Sequence, residues 1–244
     1  MFYDNLEPAQ FVMPRSTQDI LALKHINGLP ISEIEKNMRP DPSMHYSYHG
    51  FLGKDESLLH VLAQDNDTVI RLGLSHNEIA NAMDLLFQAV PYPPIRMNEW
   101  PRRKFHDFLY DYKKEMHTGK IVVVNGMRFL VSLETYEHNS VTATQRSPMG
   151  DNYVGRSHSI RVTNIDKLKS EFGIDVETSA DLGRAISDGR TGNLKSIQFN
   201  FPSILSYLIR RYEFYEGHQS PYRIGPEEIV AFLNMRHDNN LRSV

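Results

Sequence analysis

The sequence predicts an α+β protein in which helices pack on a central antiparallel β-meander of about four strands, with a helical subdomain at the N-terminus. Three observations predict this fold class. An Asn-Gly pair at positions 125–126 lies between two β-branched runs, which is the strongest local signal for a β-hairpin. Apolar residues recur with the period of a helix before and after that region. Prolines at positions 91, 93 and 94 interrupt the first helical stretch.

The proline segment divides the chain into a helical N-terminal subdomain, residues 1–90, and an α+β domain, residues 91–244. A single continuous domain is the alternative. In the N-terminal part, Ser75 and Glu78 have the spacing of a capping box and start a helix. Gly-Leu turns at 28–29 and 73–74 also allow a helix-turn-helix interpretation. The absence of Arg and Lys from residues 76–90 disfavours it, because a recognition helix needs such side chains.

The Asn-Gly turn fixes the register of the first two strands of the sheet, because a two-residue loop leaves one pairing. The predicted pairs are Val124 with Met127, Val122 with Phe129 and Ile121 with Leu130. Two further extended runs, 141–145 and 157–163, complete the predicted sheet. A helix with Ser203 as N-cap and Gly217 as its stop follows, and Pro226 opens a last helix.

The composition excludes several classes of protein. The chain has 244 residues, 40% of them hydrophobic and 23% charged, which is typical of a globular protein. The absence of cysteine excludes disulfide scaffolds, zinc ribbons, iron–sulfur centres and thiol catalysis. Residues 1–14 lack the pattern of a signal peptide, and no apolar run is long enough to span a membrane, so we expect a soluble, cytoplasmic protein.

Motifs of common enzymes are also absent from the sequence. It contains no P-loop, no G-x-G-x-x-G, no G-x-S-x-G and no H-E-x-x-H. Glu134, Glu137 and His138 are too few and too divergent to complete a metal site, so we predict none. The sequence leaves the cofactor unknown.

The polar stretch from Thr142 to Thr163 holds the predicted functional site. It contains a loop rich in Pro, Gly, Asp and Asn, and pairing of its flanking strands would bring Arg146 and Arg156 together. Two arginines held side by side repel each other and favour an anionic partner between them. This partner is either a carboxylate of the chain or a phosphate or carboxylate of a ligand. The predicted ligand-binding residues are Arg146, Arg156 and Arg161, and the predicted catalytic residues are His158, Asp151 and Glu134.

Each predicted catalytic residue has a role in this hypothesis. His158 would act as general acid or base near neutral pH, since it lies two residues beyond Arg156 and therefore on the same strand face. Asp151 would orient His158 or separate the arginines, with Glu134 nearby. Arg161 would face the opposite side of the strand.

We therefore expect a small-molecule-binding protein or enzyme whose ligand bears a phosphate or carboxylate. The sequence does not decide whether it is an enzyme. A protein–protein or self-association module, in which the polar loop and tyrosine-rich surface bind a partner or a second copy, is the alternative. Nucleic-acid binding is less favoured, because the net charge is −3. It would use a basic, aromatic surface comprising Arg210, Arg211, Tyr212 and Tyr215.

Overall fold

A computed structural model describes residues 11–41, 49–90, 119–133, 146–155 and 159–235. In this part of the chain, eight α-helices accompany a four-stranded antiparallel sheet and a short two-stranded hairpin, so the predicted α+β fold is confirmed. The helices are α1 (Thr17–Leu21), α2 (Ile31–Met38), α3 (Leu58–Arg71), α4 (His76–Gln88), α5 (Ile165–Phe172), α6 (Ser179–Ser187), α7 (Leu205–Tyr212) and α8 (Pro226–Phe232). The strands are β1 (His25–Ile26), β2 (Leu29–Pro30), β3 (Lys120–Val124), β4 (Met127–Leu133), β5 (Ser159–Asn164) and β6 (Gln198–Pro202).

The β3–β4 hairpin has the register that the Asn-Gly turn predicts, with Val124 opposite Met127 and Val122 opposite Phe129. Both turn residues adopt the left-handed backbone conformation of a type I′ turn, with φ of 49° at Asn125 and 75° at Gly126. This conformation matches the right-handed twist of the flanking strands. The two residues of the turn therefore determine the pairing of the whole hairpin.

The fourth strand of the sheet differs from the prediction. The observed order is β3-β4-β5-β6, so β5 pairs directly with β4, and the remaining strand is β6, residues 198–202. The predicted strand at 141–145 lies outside the described residues. The β6 sequence, Gln-Phe-Asn-Phe-Pro, alternates polar and aromatic residues as a half-buried strand does. The proline at its end, Pro202, precedes the predicted N-cap Ser203 and therefore indicates the start of a helix, so the sequence does not predict this strand.

Helices cover one face of the central sheet fully and the other face only in part. One face packs on helices α4, α7 and α8, with Phe129, Val131 and Phe201 fully buried. The other face packs through Leu130 on helices α5 and α6. Helix α4, which precedes residue 90, shares one core with the strands of the central sheet, which follow residue 90. The division of the chain into two units at residue 90 stays a prediction. No helix in the described ranges is long and apolar enough to cross a membrane.

Helix α7 ends earlier than predicted. It stops at Tyr212, because Glu213 turns left-handed with φ of 58° and the amides of Glu213 and Phe214 bond to carbonyls of the last turn. Gly217 is therefore not its stop, and Ser203 is not its N-cap, since the helix begins after Ile204. Tyr212 and Tyr215 are fully buried, so the predicted basic, aromatic surface does not form.

We expect opposite effects on stability from replacing two glycines with alanine. Gly126→Ala should destabilise the protein by about 1–2 kcal/mol, because the left-handed conformation disfavours a Cβ atom although the space around it is open. Gly183→Ala, in the exposed interior of α6, should stabilise it by roughly 0.5–1 kcal/mol. Urea unfolding of both variants checks this. A Gly126→Ala protein as stable as the wild type would contradict the type I′ turn.

Candidate functional site

The described residues include three of the six predicted site residues. Arg146, Asp151 and Arg161 are described, whereas Glu134, Arg156 and His158 lie outside the described ranges. The side chain of Arg146 is exposed, and its backbone pairs with Val154 across the base of the loop. The close approach of Arg146 to Arg156 stays a prediction, since the described pairing places Val154 opposite Arg146. Arg161 is exposed on the sheet face between Ser132 and Asn200.

The loop at 146–155 is tightly organised. The amide of Ser147 donates to the Tyr153 carbonyl over 2.8 Å, which reinforces the pairing at the base. The amide of Tyr153 also donates to Asp151 Oδ1 over 3.0 Å, so the aspartate shapes its own turn. Met149 is fully buried and belongs to the core formed with the N-terminal helices. The loop is thus anchored at its base and in its middle.

Asp151 connects this loop to helix α7. Its Oδ2 atom accepts a hydrogen bond of 2.5 Å from the Tyr207 hydroxyl and another from the Tyr212 hydroxyl. Asn27 Nδ2 donates to the Tyr212 oxygen over 2.7 Å and to the Met149 carbonyl over 2.8 Å. Burial and the adjacent Asp151 carboxylate raise the pKa of both tyrosines well above the ordinary value, so both hydroxyls remain donors at neutral pH. None of these partners is a cation.

A cleft opens beside the loop, between α4 and the start of α7. Its volume is about 260 Å³, and its lining comprises Asp84, Phe87, Gln88, Tyr153, Ser203 and Ser206. Tyr153 stacks on Tyr207 with ring centroids 3.5 Å apart and planes at 9° to each other. Arg210 bonds to Asp84 and to Asn81, which holds that wall of the cleft in place. Aromatic rings with a few polar groups are typical of small-molecule sites.

No protein-family model, curated protein or solved structure matches this chain. The chemistry of the site therefore has to be argued from its own residues. Within the described ranges, no group of three His, Asp or Glu side chains is arranged to hold a metal ion. The described walls of the cleft combine one carboxylate, one carboxamide, two serines and two aromatic residues, which suit hydrogen bonding and stacking with an organic molecule.

A second polar cluster, which no sequence pattern predicts, lies near the C-terminal end of α7. His76 Nδ1 is 3.0 Å from the Tyr215 hydroxyl, and its Nε2 is 3.4 Å from Asn66 Oδ1 and 3.6 Å from Glu213 Oε2. Burial lowers the pKa of His76 to about 4 and raises the pKa of Glu213 to about 7. The pair therefore gains a proton as the pH falls through about 7.

A buried ion pair adjoins this cluster. Arg223 bonds through both terminal nitrogens to Asp65, over 2.5 Å and 3.1 Å, and also donates to the backbone carbonyl of Glu216. The side chains of Arg223 and Asp65 are only 11% and 3% exposed. Burial raises the pKa of Asp65 against the lowering effect of Arg223. Asp65 lies in α3 and Arg223 in the segment before α8, so their spacing in the sequence does not predict the ion pair.

Proposed function

We propose that this chain binds a small molecule bearing a phosphate or carboxylate group beside the 146–155 loop. Arg146 and Arg156 hold the anionic group in this proposal, and Arg161 supplies a further positive charge. The rest of the ligand occupies the cleft that Tyr153 lines. In an enzyme built on this site, His158 would transfer protons as general acid or base, with Glu134 nearby.

The observation that carries this proposal is the bonding of Asp151. That carboxylate is the acid within the loop and the most obvious internal counter-ion for its arginines. Its described partners are instead the amide of Tyr153 and the hydroxyls of Tyr207 and Tyr212. No described carboxylate forms an ion pair with Arg146, whose side chain is exposed. The lack of a described carboxylate partner at Arg146 supports an anion from outside the chain as its partner.

The cleft provides the second support. Tyr153 lines it two residues beyond Asp151, so the space for a ligand borders the same loop as Arg146. The stack of Tyr153 on Tyr207 presents a flat aromatic wall held by the Asp151 hydrogen bonds. A preformed wall reduces the entropy lost when a ligand binds.

A thermal-shift screen tests the proposal. The probes are nucleotides, sugar phosphates, small carboxylates and inorganic phosphate. We expect one of these classes to raise the Tm selectively. A ligand at ~100 times its Kd stabilises by roughly 2.7 kcal/mol, which is about 5–10 °C for a chain of this size. Arg146→Ala should remove most of that shift. The control Arg184→Ala, in an exposed i,i+3 ion pair on α6, should keep it.

Two outcomes would count against the anion site. One is a shift of equal size in the Arg146→Ala protein, and the other is an equal shift from neutral analogues that lack the phosphate or carboxylate. A screen without any shift would favour the second candidate function, self-association. The observation behind that candidate is β3, the edge strand of the sheet in the described residues, where Ile121 and Val123 are 43% and 63% exposed on one face.

A further inference from the structure

The chain between α7 and α8 contains an unusual backbone segment, Glu213–Glu216. Both glutamates adopt the left-handed conformation, with φ of 58° at Glu213 and 69° at Glu216. Residues with a Cβ atom rarely adopt this conformation, and the surrounding structure has to maintain it. The two residues between them, Phe214 and Tyr215, are fully buried. The segment is therefore locally strained and largely buried, with only Glu213 partly exposed.

Glu213 lacks a strong partner for its carboxylate. Its Oε2 atom is enclosed and accepts no hydrogen bond from a described group. The nearest described titratable nitrogen is His76 Nε2, at 3.6 Å from Glu213 Oε2, and that imidazole also contacts Tyr215 and Asn66. Burial lowers the pKa of His76 to about 4, so near neutral pH it offers Glu213 no positive charge. The side chain is 21% exposed, but its enclosed Oε2 atom has exchanged hydration for one long contact, so the neutral, protonated form is favoured.

Glu216 is still more deeply buried, with 1% of its surface exposed. The Ser220 hydroxyl donates to its Oε2 atom. Arg223 donates to the backbone carbonyl of Glu216, but its bidentate ion pair is with Asp65. The Glu216 carboxylate is therefore near the positive charge of Arg223, but the Asp65 carboxylate already neutralises that charge.

We propose that the Glu213–Glu216 segment is a pH-sensitive switch, closed when both glutamates carry a proton and loosened when they ionise. Loosening would release the contacts that follow the segment, where the Gly217 amide donates to the Phe51 carbonyl over 2.7 Å and the Gln219 amide donates to Glu56 over 3.1 Å. Among the described titratable and charged groups, His76 and Tyr215 interact with Glu213, and Arg223 interacts with Glu216. Asp65 pairs with Arg223, and His218 acts on Asp65.

The direction of the response follows from the protons that each state binds. Burial raises the pKa of both glutamates to about 7, above the ordinary value of 4.5 that an opened segment would restore. The closed state therefore holds more protons, and opening becomes easier as the pH rises from 4.5 to about 7. His76 opposes this below its ordinary pKa of 6.5, because burial lowers its pKa to about 4. The segment should be most firmly closed in mildly acidic solution.

Hydrogen exchange of the full chain tests the switch. Protection factors, which remove the intrinsic effect of pH on exchange, are measured at pH 6 and pH 8 for the amides of residues 213–220. We expect protection to fall by about tenfold or more in the wild type, since each glutamate contributes up to ~10-fold per pH unit below its pKa. Protection in Glu213→Gln/Glu216→Gln should fall by less than about threefold, and the control Glu227→Gln, exposed on α8, should behave like the wild type.

The switch would be overturned by an equal fall in the wild type and the double variant, or by no fall in the wild type. A second measurement, NMR titration of the wild type with ¹³C-labelled glutamate carboxyls, does not depend on how the double variant folds. We expect two carboxyl resonances to titrate near neutral pH. The proposal would also be overturned if every glutamate carboxyl titrated below about pH 5.5.

Discussion

Replacing Arg223 with methionine should destabilise the protein by about 3–5 kcal/mol, the largest effect that we expect from a single substitution. Arg223 neutralises Asp65 through a bidentate contact in which the side chains are 11% and 3% exposed. Methionine fills similar space but leaves the Asp65 charge buried without its counter-ion, and it also removes a donor to the Glu216 carbonyl. Urea unfolding at pH 7 measures the effect.

Arg71→Met is the matched control for that substitution. Arg71 also pairs with a carboxylate, that of Glu227, but the two side chains are 68% and 62% exposed. Exposed pairs contribute about 0–1 kcal/mol, so this variant should unfold almost as the wild type does. The double variant Asp65→Asn/Arg223→Met should be more stable than Arg223→Met, because it removes the stranded charge. Equal losses in Arg71→Met and Arg223→Met would contradict the buried ion pair.

Asp151→Ala should cost about 2–3 kcal/mol of stability. Asp151 accepts hydrogen bonds from the Tyr207 and Tyr212 hydroxyls and from the amide of Tyr153. Hydrogen bonds to a charged acceptor contribute roughly 1.5–3 kcal/mol each. The expected loss is smaller than the sum for three such bonds, because the site is only partly buried and the released groups can bond to water. Alanine leaves two tyrosyl hydroxyls without their acceptor and releases the loop from α7.

Tyr207→Phe removes one of these hydrogen bonds and should cost about half as much as Asp151→Ala. The control Asp188→Ala, at the exposed end of α6, should change stability by less than about 0.5 kcal/mol. Thermal unfolding of the three variants at one pH compares them. If Asp151→Ala proved as stable as Asp188→Ala, Asp151 would not be the anchor between the loop and α7.

The sequence predicts those parts of the fold that depend on neighbouring residues. The capping box at Ser75 and Glu78 and the proline at the start of α8 are both present in the structure. The β3–β4 register is also correct, because two left-handed turn residues determine it. The same Asn-Gly pair occurs at 27–28 and forms the β1–β2 hairpin, but the short flanking strands give no alternating pattern that would predict it.

Long-range partners explain what the sequence does not predict. The pairing of β6 with β5 joins residues that are distant along the chain, and Pro202 obscures the strand pattern. The left-handed turn at Glu213, which ends α7 early, is maintained by burial and not by a glycine. Within the candidate site, the loop and the location of Arg146 and Asp151 follow from local composition. The tyrosines that bind Asp151 come from α7, more than 50 residues later, and no local pattern connects them.

Isothermal titration calorimetry tests ligand binding beside the 146–155 loop most directly. The titrant is the phosphate- or carboxylate-bearing compound that produces the largest thermal shift, and the proteins are the wild type, Tyr153→Ala, Arg146→Ala and the control Tyr222→Ala. We expect Kd to rise at least ~10-fold, or about 1.4 kcal/mol, in the first two variants and to stay unchanged in the control. Unchanged affinity in both Tyr153→Ala and Arg146→Ala would contradict a ligand site formed by this loop and its cleft.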